Sequence, residues 1–378
     1  MYPIPNRPGR LVLVGFIALA SVLYWPAMEG EFLWDDLPYV VDNKLLHIPG
    51  GLARLWFSGE IGDYWPITYT TFWIEYRLIG FHPVTAHLIN VLLHALAAWF
   101  LWKVIQEAGL KGGLAAALIF LVHPVNVAAA ATVFQRKTVL AGLFFFAALW
   151  CYLRFEREQR PALYRAALAL FVCAVLSKTS AIMFAPSLIV LLWWRNGRLT
   201  RADALRIAPF LLIALAAGWI TSRLQHGAMD LDYSIQRRMF ESAGFAAKLV
   251  NIGHVVLFYL SKTFWPAGLF FVHPKWAVDP SKSAFWLPTV LLTLTFVIAL
   301  WLAWRRPARA AGVIAGLSFF GINLFPVLGL VDFQYHGISW VADHYLYIAI
   351  AGLIALVVHL AASALPARVA TACVALAV

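Results

Sequence analysis

Long uninterrupted apolar runs most constrain how this chain can fold. An apolar run of roughly 17 to 25 residues can cross a bilayer as an α-helix, because a helix satisfies its backbone hydrogen bonds internally. Short polar or basic turns separate the runs along the whole chain. The runs lie at about residues 11–27, 84–102, 113–132, 138–153, 164–177, 180–194, 207–222, 286–304, 310–330, 344–362 and from 367 onward.

The composition agrees with a membrane protein. Hydrophobic residues make up 62% of the 378 residues, charged residues only 12%, and the mean hydropathy is +0.78. A soluble domain could not bury so much apolar surface. The sequence therefore predicts an all-α polytopic membrane protein with about eleven transmembrane helices in a single domain, residues 1–378.

Basic residues in short turns predict the orientation of these helices. Lys and Arg in short loops favour the cytoplasm. Placing the N-terminus in the cytoplasm puts most basic turns there, including the turn at 305–309, if the apolar stretch 249–259 is an interfacial or re-entrant helix. Two large loops then lie outside, an acidic loop with interfacial helices at residues 28–83 and a second loop at residues 223–285.

The first outer loop carries the acidic pair Asp35 and Asp36. Between Glu29 and Arg77 there are eight acidic and three basic residues, a net charge of −5 in a chain of net charge +11. Carboxylates at a membrane surface suit proton transfer during a reaction. Solvated loop acids or helix caps are the simpler interpretation of the same pair.

Further polar residues fall at the outer ends of the predicted spans. Bases at short outer turns run against the positive-inside preference, so an anionic lipid headgroup would account for them. If the headgroup is the phosphate of a lipid-linked sugar donor, its negative charge grows as the bond to the sugar breaks. Cations around the phosphate would stabilise that charge. The candidate donor-phosphate ligands are Arg136, Lys137, Lys178 and His344, and the candidate substrate-binding residues are His123, Gln135, Asp343 and Tyr345.

Simpler interpretations exist for these residues as well. Asp343 could be only a helix N-cap, and Arg136 and Lys137 could merely touch anionic lipid. A polar stripe at i, i+3 and i+7 in the second span, formed by His87, Asn90 and His94, favours interhelical hydrogen bonding over substrate contact.

Several short motifs occur in a fixed order over roughly residues 30 to 350. Each is weak alone, but the ordered set resembles the GT-C membrane glycosyltransferases, closest to the transmembrane, tetratricopeptide-repeat-bearing O-mannosyltransferases and their bacterial relatives. The motifs are Phe32-Leu33-Trp34-Asp35-Asp36, Trp65-Pro66-Ile67, Gly80-Phe81-His82-Pro83, His87 to His94, His123-Pro124-Val125-Asn126, Gln135-Arg136-Lys137, Ser177-Lys178, Phe264-Trp265-Pro266 and Ala342 to Tyr347.

The resemblance implies a GT-C-like bundle and transfer of a sugar, often mannose, from a polyprenyl phosphate to a hydroxyl group. Asp35 is then the favoured base, with Asp36 orienting or replacing it, and attack opposite the phosphate inverts the anomeric carbon. It also implies an acceptor on the outer face, which could be a protein, a glycan or a lipid. The basic turns and the lack of an Asn-x-Ser/Thr site favour the periplasmic face of a bacterial inner membrane. We expect no tetratricopeptide repeats within these residues. The chain has Thr179 where relatives usually have an acid.

Other function classes fit less well. A polyprenyl-linked lipid transporter or flippase is the alternative, but it does not need the acidic outer loop, and a non-catalytic scaffold does not need the cationic cluster. The three cysteines, Cys151, Cys173 and Cys373, lie in apolar spans without metal spacing. We expect no cofactor and no nucleic-acid partner, with a weakly held divalent cation as the one exception considered.

Overall fold

The computed structural model describes residues 9–58, 60, 64–227, 244–305, 307–330 and 334–364. The predicted final apolar run from residue 367 lies outside the described residues. The same is true of Arg306 and of positions 228–243 in the second outer loop.

The described residues are helical and contain no strand, which confirms the all-α prediction. Pro begins several helices, where its missing N–H costs nothing. The helices are α1 (Gly9–Leu23), α2 (Trp25–Met28), α3 (Lys44–His47), α4 (Gly51–Phe57), α5 (Pro66–Ile79), α6 (Pro83–Glu107), α7 (Gly113–Val122), α8 (Val127–Ala130), α9 (Arg136–Glu158), α10 (Pro161–Ser177), α11 (Phe184–Asn196), α12 (Arg201–Gly227), α13 (Gly244–Phe264), α14 (Ser283–Arg305), α15 (Pro307–Leu324) and α16 (Leu346–Ala364).

Within the described residues, six helices are long and apolar enough to cross a membrane, namely α6, α9, α12, α13, α14 and α16. A seventh results if α7 and the stretch Pro124–Ala130 form one span, bent by 52°. Three shorter apolar helices, α1, α10 and residues 311–327, do not reach that length. The chain is a multi-pass membrane protein, and the predicted count of eleven spans stays a prediction.

The bend between α7 and α8 follows from the dipeptide His123-Pro124. The residue before a proline is disfavoured in the helical region, and proline has no N–H to continue the ladder. His123 is accordingly extended, with φ −64° and ψ 125°. The apolar run 113–132, which predicted one straight span, therefore forms two helices.

Helix α13 is longer than the sequence predicted. Instead of a short interfacial or re-entrant helix at 249–259, residues Gly244–Phe264 form one helix of 21 residues that could cross a membrane. It packs closely on α14 at Gly253. A side chain at this position would collide with the backbone of Thr289, so only glycine allows this approach. Small residues allow such close approach between membrane helices. The interfacial location stays a prediction.

The described chain forms two compact units. In the first unit, residues 9–58, 65–178 and 358–364, the largely buried helix α9 packs against α6 and α10, and α1 packs against α6. In the second unit, which includes residues 179–227, 244–305, 307–330 and 334–357, α11 packs on α12 and α15, and α14 packs on α13 and α15. The two units are defined only by how densely their residues contact each other. The predicted single transmembrane domain is not tested by this division and stays a prediction.

Candidate functional site

The acidic pair lies in the loop after α2, in the first unit. Trp34, directly before it, has φ +49°, a left-handed conformation that non-glycine residues rarely adopt. Asp35 is half-exposed, and no described residue donates a hydrogen bond to its carboxylate. Asp36 is only 1% exposed. The two neighbouring acids therefore have different surroundings.

Asp36 is fastened at both carboxylate oxygens. Oδ1 accepts a hydrogen bond from the amide of Phe134 at 2.7 Å, and Oδ2 accepts one from the amide of Leu33 at 3.1 Å. Burial raises the pKa of the Asp36 carboxyl, while these amides and the nearby His87 partly oppose the rise. Asp36 thus ties the acidic loop to the chain just before α9.

Arg136 begins α9 and is fully buried. Its Nη1 donates to Oε2 of Glu75 at 2.5 Å, and its Nε donates to Oδ1 of Asn90 at 2.8 Å. The guanidinium carbon lies 4.2 Å from the centre of the Phe72 ring. A donor phosphate would reach this guanidinium only if the pair with Glu75 opened, so the predicted phosphate contact of Arg136 stays a prediction.

Lys137 follows Arg136 and faces aromatic rings. Its Nζ lies 4.1 Å from the ring centre of Trp65 and 3.5 Å from that of Phe134, distances at which a cation is attracted to a ring. Tyr39 from the acidic loop stacks on Phe134 with ring centres 4.6 Å apart. The side chain of Lys137 therefore lies beside the segment that fastens Asp36.

Lys178 and Gln135 meet at the hydroxyl group of Thr138. The Lys178 Nζ donates to Oγ1 of Thr138 at 2.8 Å, and that hydroxyl donates to Oε1 of Gln135, also at 2.8 Å. The ammonium group is thus held at the first turn of α9. The structure brings Asp36, Gln135, Lys137 and Lys178 to this one turn and the residues before it.

His123 supports the bend that precedes this turn. Its Nδ1 accepts a hydrogen bond from the amide of Val125 at 3.3 Å, and the residue is 7% exposed. Asn126 donates to the carbonyl oxygen of Phe120 at 2.8 Å. These bonds satisfy backbone groups that the bend leaves without helical partners. Substrate binding by His123 stays a prediction.

The polar stripe of α6 bonds to backbone outside its own helix. Asn90 donates to the carbonyl oxygens of Thr132 and Val133, at 2.8 and 3.2 Å. His94 donates from Nε2 to the carbonyl oxygen of Leu121 at 3.0 Å. For these two residues, the predicted structural role of the stripe is confirmed.

The second unit holds Asp343, His344 and Tyr345. Asp343 is buried, and its Oδ1 accepts a hydrogen bond from Nε2 of His273 at 2.8 Å. His344 and Tyr345 are half-exposed, with ring centres 4.4 Å apart. The predicted roles of these three residues in phosphate and substrate binding stay predictions.

Sequence reasoning missed two buried partners, Glu75 and His273. Glu75 stands among the acids of the first outer loop, and its spacing of three residues from Phe72 was the signal that it shares the buried face of α5. His273 stands in Val272-His273-Pro274, the same tripeptide as Val122-His123-Pro124. That repetition was the available signal.

The described residues contain no group of three or more His, Cys, Asp or Glu residues that could hold a metal ion. The expectation of no cofactor stays a prediction.

The fold and this site define a class, namely multi-pass helical membrane proteins with an acidic loop fastened beside buried cations. Residues 66–221 match the dolichyl-phosphate-mannose-protein mannosyltransferase family. The chain is 29% identical over 171 residues to human protein O-mannosyl-transferase TMTC3 and 32% identical over 174 residues to human protein O-mannosyl-transferase TMTC4. It is 32% identical over 209 residues to mouse protein O-mannosyl-transferase TMTC1.

These matches cover 42%, 39% and 47% of this chain, but only 19%, 23% and 22% of those relatives. The matched part thus spans about a fifth of the length of each relative. The resemblance predicted from the motifs is confirmed, and residues 66–221 are similar to this mannosyltransferase family.

Proposed function

We propose that this chain is an inverting glycosyltransferase that moves a mannose-like sugar from a polyprenyl-phosphate donor to a hydroxyl group. The observation that carries the proposal is the contrast between the two acids. Asp36 has both oxygens occupied by backbone amides, whereas Asp35 is half-exposed beside it. The names of the relatives support mannose as the sugar and a protein as the acceptor, with a glycan as the second choice.

Asp35 acts as the base in this proposal. Its carboxylate takes the proton of the acceptor hydroxyl as the acceptor oxygen bonds to the anomeric carbon. The bond from that carbon to the phosphate oxygen breaks at the same time, and polyprenyl phosphate leaves with the electron pair. Attack opposite the leaving group inverts the configuration. Asp35 then releases the proton to water.

The phosphate gains negative charge as it leaves, and fixed cations stabilise that charge. We assign this role to Lys137 and Lys178 of the first unit, and His344 of the second unit stays a predicted phosphate ligand. Lys178 is held by Thr138, and Lys137 lies against two rings. We assign Arg136 to positioning the first turn of α9, because its guanidinium is buried against Glu75.

The proposed location is a bacterial inner membrane, with the N-terminus in the cytoplasm and the site on the periplasmic face. The basic turns support this orientation. The membrane supplies the lipid donor, so no soluble nucleotide sugar is required.

Sugar transfer in membranes from radiolabelled polyprenyl-phosphate mannose tests the proposal. We expect Asp35→Asn to reduce kcat by about 10² to 10⁴, the usual contribution of a positioned base. Asp42→Asn is the matched control, since Asp42 is an exposed acid of the same loop. Full activity of Asp35→Asn would remove Asp35 as the base. No transfer by folded wild type, with other sugars and acceptors also tried, would favour lipid transport.

A further inference from the structure

Lys103 lies near the C-terminal end of α6, in the first unit, and contacts two aromatic rings. Its Nζ lies 4.0 Å from the ring centre of Trp102 and 5.3 Å from that of Trp99. Trp99 is held in turn, because its Nε1 donates to the carbonyl oxygen of Gly9 in α1 at 2.9 Å. A Cβ atom at Gly9 would lie 3.2 Å from Nζ, so glycine leaves room for the ammonium group. The ammonium group therefore has a defined place between α1 and the two rings.

Two acidic residues at this end of the unit are already engaged by arginines. Glu107, one turn beyond Lys103, pairs with Nη1 of Arg157 at 2.7 Å. Glu158 pairs with Arg154 at 2.7 Å and with Arg157 at 3.0 Å. In the part of the chain that the structure describes, no carboxylate pairs with the half-exposed Lys103. A partly buried charge without a counter-ion is unfavourable, so an anion from outside the chain would stabilise it.

Half-buried rings continue from this lysine onto α9. The ring centres of Trp99 and Trp150 lie 6.1 Å apart, and that of Phe100 lies 5.7 Å from Trp150. The guanidinium carbon of Arg154 lies 5.1 Å from the Trp150 ring centre. Tryptophan rings beside basic side chains are typical of the level of lipid headgroups. An apolar surface for acyl chains thus adjoins a cation.

The lysine and the candidate functional site lie toward opposite ends of α6. Asn90, which accepts from Arg136 at the start of α9, precedes Lys103 by 13 residues. At 1.5 Å per residue, about 20 Å separate these two positions along the helix axis. The basic turns predict that the Lys103 end is cytoplasmic. A phosphate bound at Lys103 is therefore separate from a donor phosphate at the first turn of α9.

We propose that Lys103 and the rings of Trp99, Trp150 and Phe100 bind one anionic phospholipid of the surrounding leaflet. The headgroup phosphate pairs with the Lys103 ammonium group, and the acyl chains lie along the rings. The lipid supplies the counter-ion that the described chain does not, and it joins the ends of α6 and α9. This inference goes beyond the proposed function and assigns the lipid no step in sugar transfer.

Native mass spectrometry of the purified full chain in detergent tests the proposal. The probes are dioleoyl-phosphatidylglycerol, which is anionic, and dioleoyl-phosphatidylcholine, which is zwitterionic. We expect wild type to bind one phosphatidylglycerol about fivefold more tightly than phosphatidylcholine, the usual contribution of one basic residue beside an anionic lipid. Lys103→Met keeps the apolar stem and removes the charge, so it should abolish this preference. Lys103→Arg should retain it.

Lys111→Met is the matched control, since Lys111 is an exposed lysine in the turn directly after α6. We expect this variant to keep the wild-type preference. An equal loss in Lys111→Met and Lys103→Met would overturn the inference, because binding would then reflect diffuse charge. Equal affinity of wild type for the two lipids would overturn it as well. Excess inorganic phosphate should leave the lipid bound, and displacement by free phosphate would contradict a lipid site.

Thermal unfolding provides an independent readout of the same site. Because a ligand that binds only the folded state stabilises it, phosphatidylglycerol should raise the Tm of wild type more than phosphatidylcholine does. In Lys103→Met the two lipids should act alike. Lys103→Gln removes the charge with a polar side chain, so the test holds even if the methionine variant does not fold. A wild-type response to phosphatidylglycerol in the folded, uncharged variants would contradict the site. No sugar donor is present, so failure of the proposed function leaves these outcomes unchanged.

Discussion

At the scale of single residues, protonation of Asp36 makes the stability of the folded chain depend on pH. Burial raises its pKa above the ordinary value of 3.8, so the folded chain holds this proton more tightly than the unfolded chain. The stability gained from Asp36 is therefore fully present below pH 3.8 and is lost as the pH rises through the raised pKa.

We therefore expect the free energy of unfolding of wild type to fall with rising pH across that window, relative to Asp36→Asn. Thermal unfolding of both proteins in detergent, from below pH 3.8 to about pH 7, measures the difference. A difference that stays constant across this range would contradict burial of the Asp36 carboxyl.

Trp34 gives a second prediction at this scale. Its φ of +49° strains any residue with a Cβ, and Trp34 is 65% exposed. Both variants below lack the ring, so their difference isolates the backbone strain. We expect Trp34→Gly to be more stable than Trp34→Ala by about 1 kcal/mol, because glycine adopts this conformation without strain. Chemical denaturation of the two variants measures this. An alanine variant of equal or greater stability would show that the backbone there is relaxed.

At the scale of helices, the ion pair of Arg136 and Glu75 joins α9 to α5. Removing one member of a buried pair leaves an uncompensated charge, and we expect Glu75→Ala to cost about 3 to 5 kcal/mol of stability. The double variant Glu75→Leu with Arg136→Met should recover part of that loss, since two apolar side chains bury no charge. Thermal unfolding in detergent compares them.

Arg154→Ala is the control for this experiment. Arg154 pairs with Glu158 one turn away on α9, and both side chains are partly exposed. Pairs of this kind contribute less than about 1 kcal/mol. If Glu75→Ala loses no more stability than Arg154→Ala, the buried pair does not link α5 to α9 as proposed.

At the scale of the whole molecule, the prediction concerns orientation in the membrane. We expect a membrane-impermeant maleimide added from outside to label Asp42→Cys, in the acidic loop. Arg198→Cys, in the basic turn after α11, should react only after the membrane is permeabilised. Both positions are exposed, and the native cysteines are replaced beforehand. The reverse labelling pattern would place the acidic loop in the cytoplasm.

Much of the fold could be read from the sequence because membrane helices follow from apolar length. The run at 138–153 predicted a span, and α9 indeed covers Arg136–Glu158. Helix boundaries set by a local break in an apolar run were harder to predict from the sequence. The run at 113–132 looked continuous, yet His123-Pro124 bends it by 52°.

The residues of the candidate site could be predicted from the sequence, but their hydrogen-bond and ion-pair partners could not. Asp35, Asp36, Lys137 and Lys178 could be chosen from their place beside apolar runs and from the ordered motifs. That Asp36 accepts from the amide of Phe134, 98 residues away, could not be chosen in this way.

The sequence by itself determined that this chain is helical, membrane-bound and, over part of its length, similar to the mannosyltransferases, because apolar length and ordered motifs are local properties. Only the tertiary structure decided which charged side chains are paired or hydrogen-bonded within the protein. Arg136 is buried against Glu75, and His273 donates to Asp343. Asp36 accepts two backbone hydrogen bonds, whereas no described residue donates one to the carboxylate of Asp35. The physical reason is that burial and pairing depend on helices distant in the chain, and those contacts determine whether a charged group is held in place or open to a ligand.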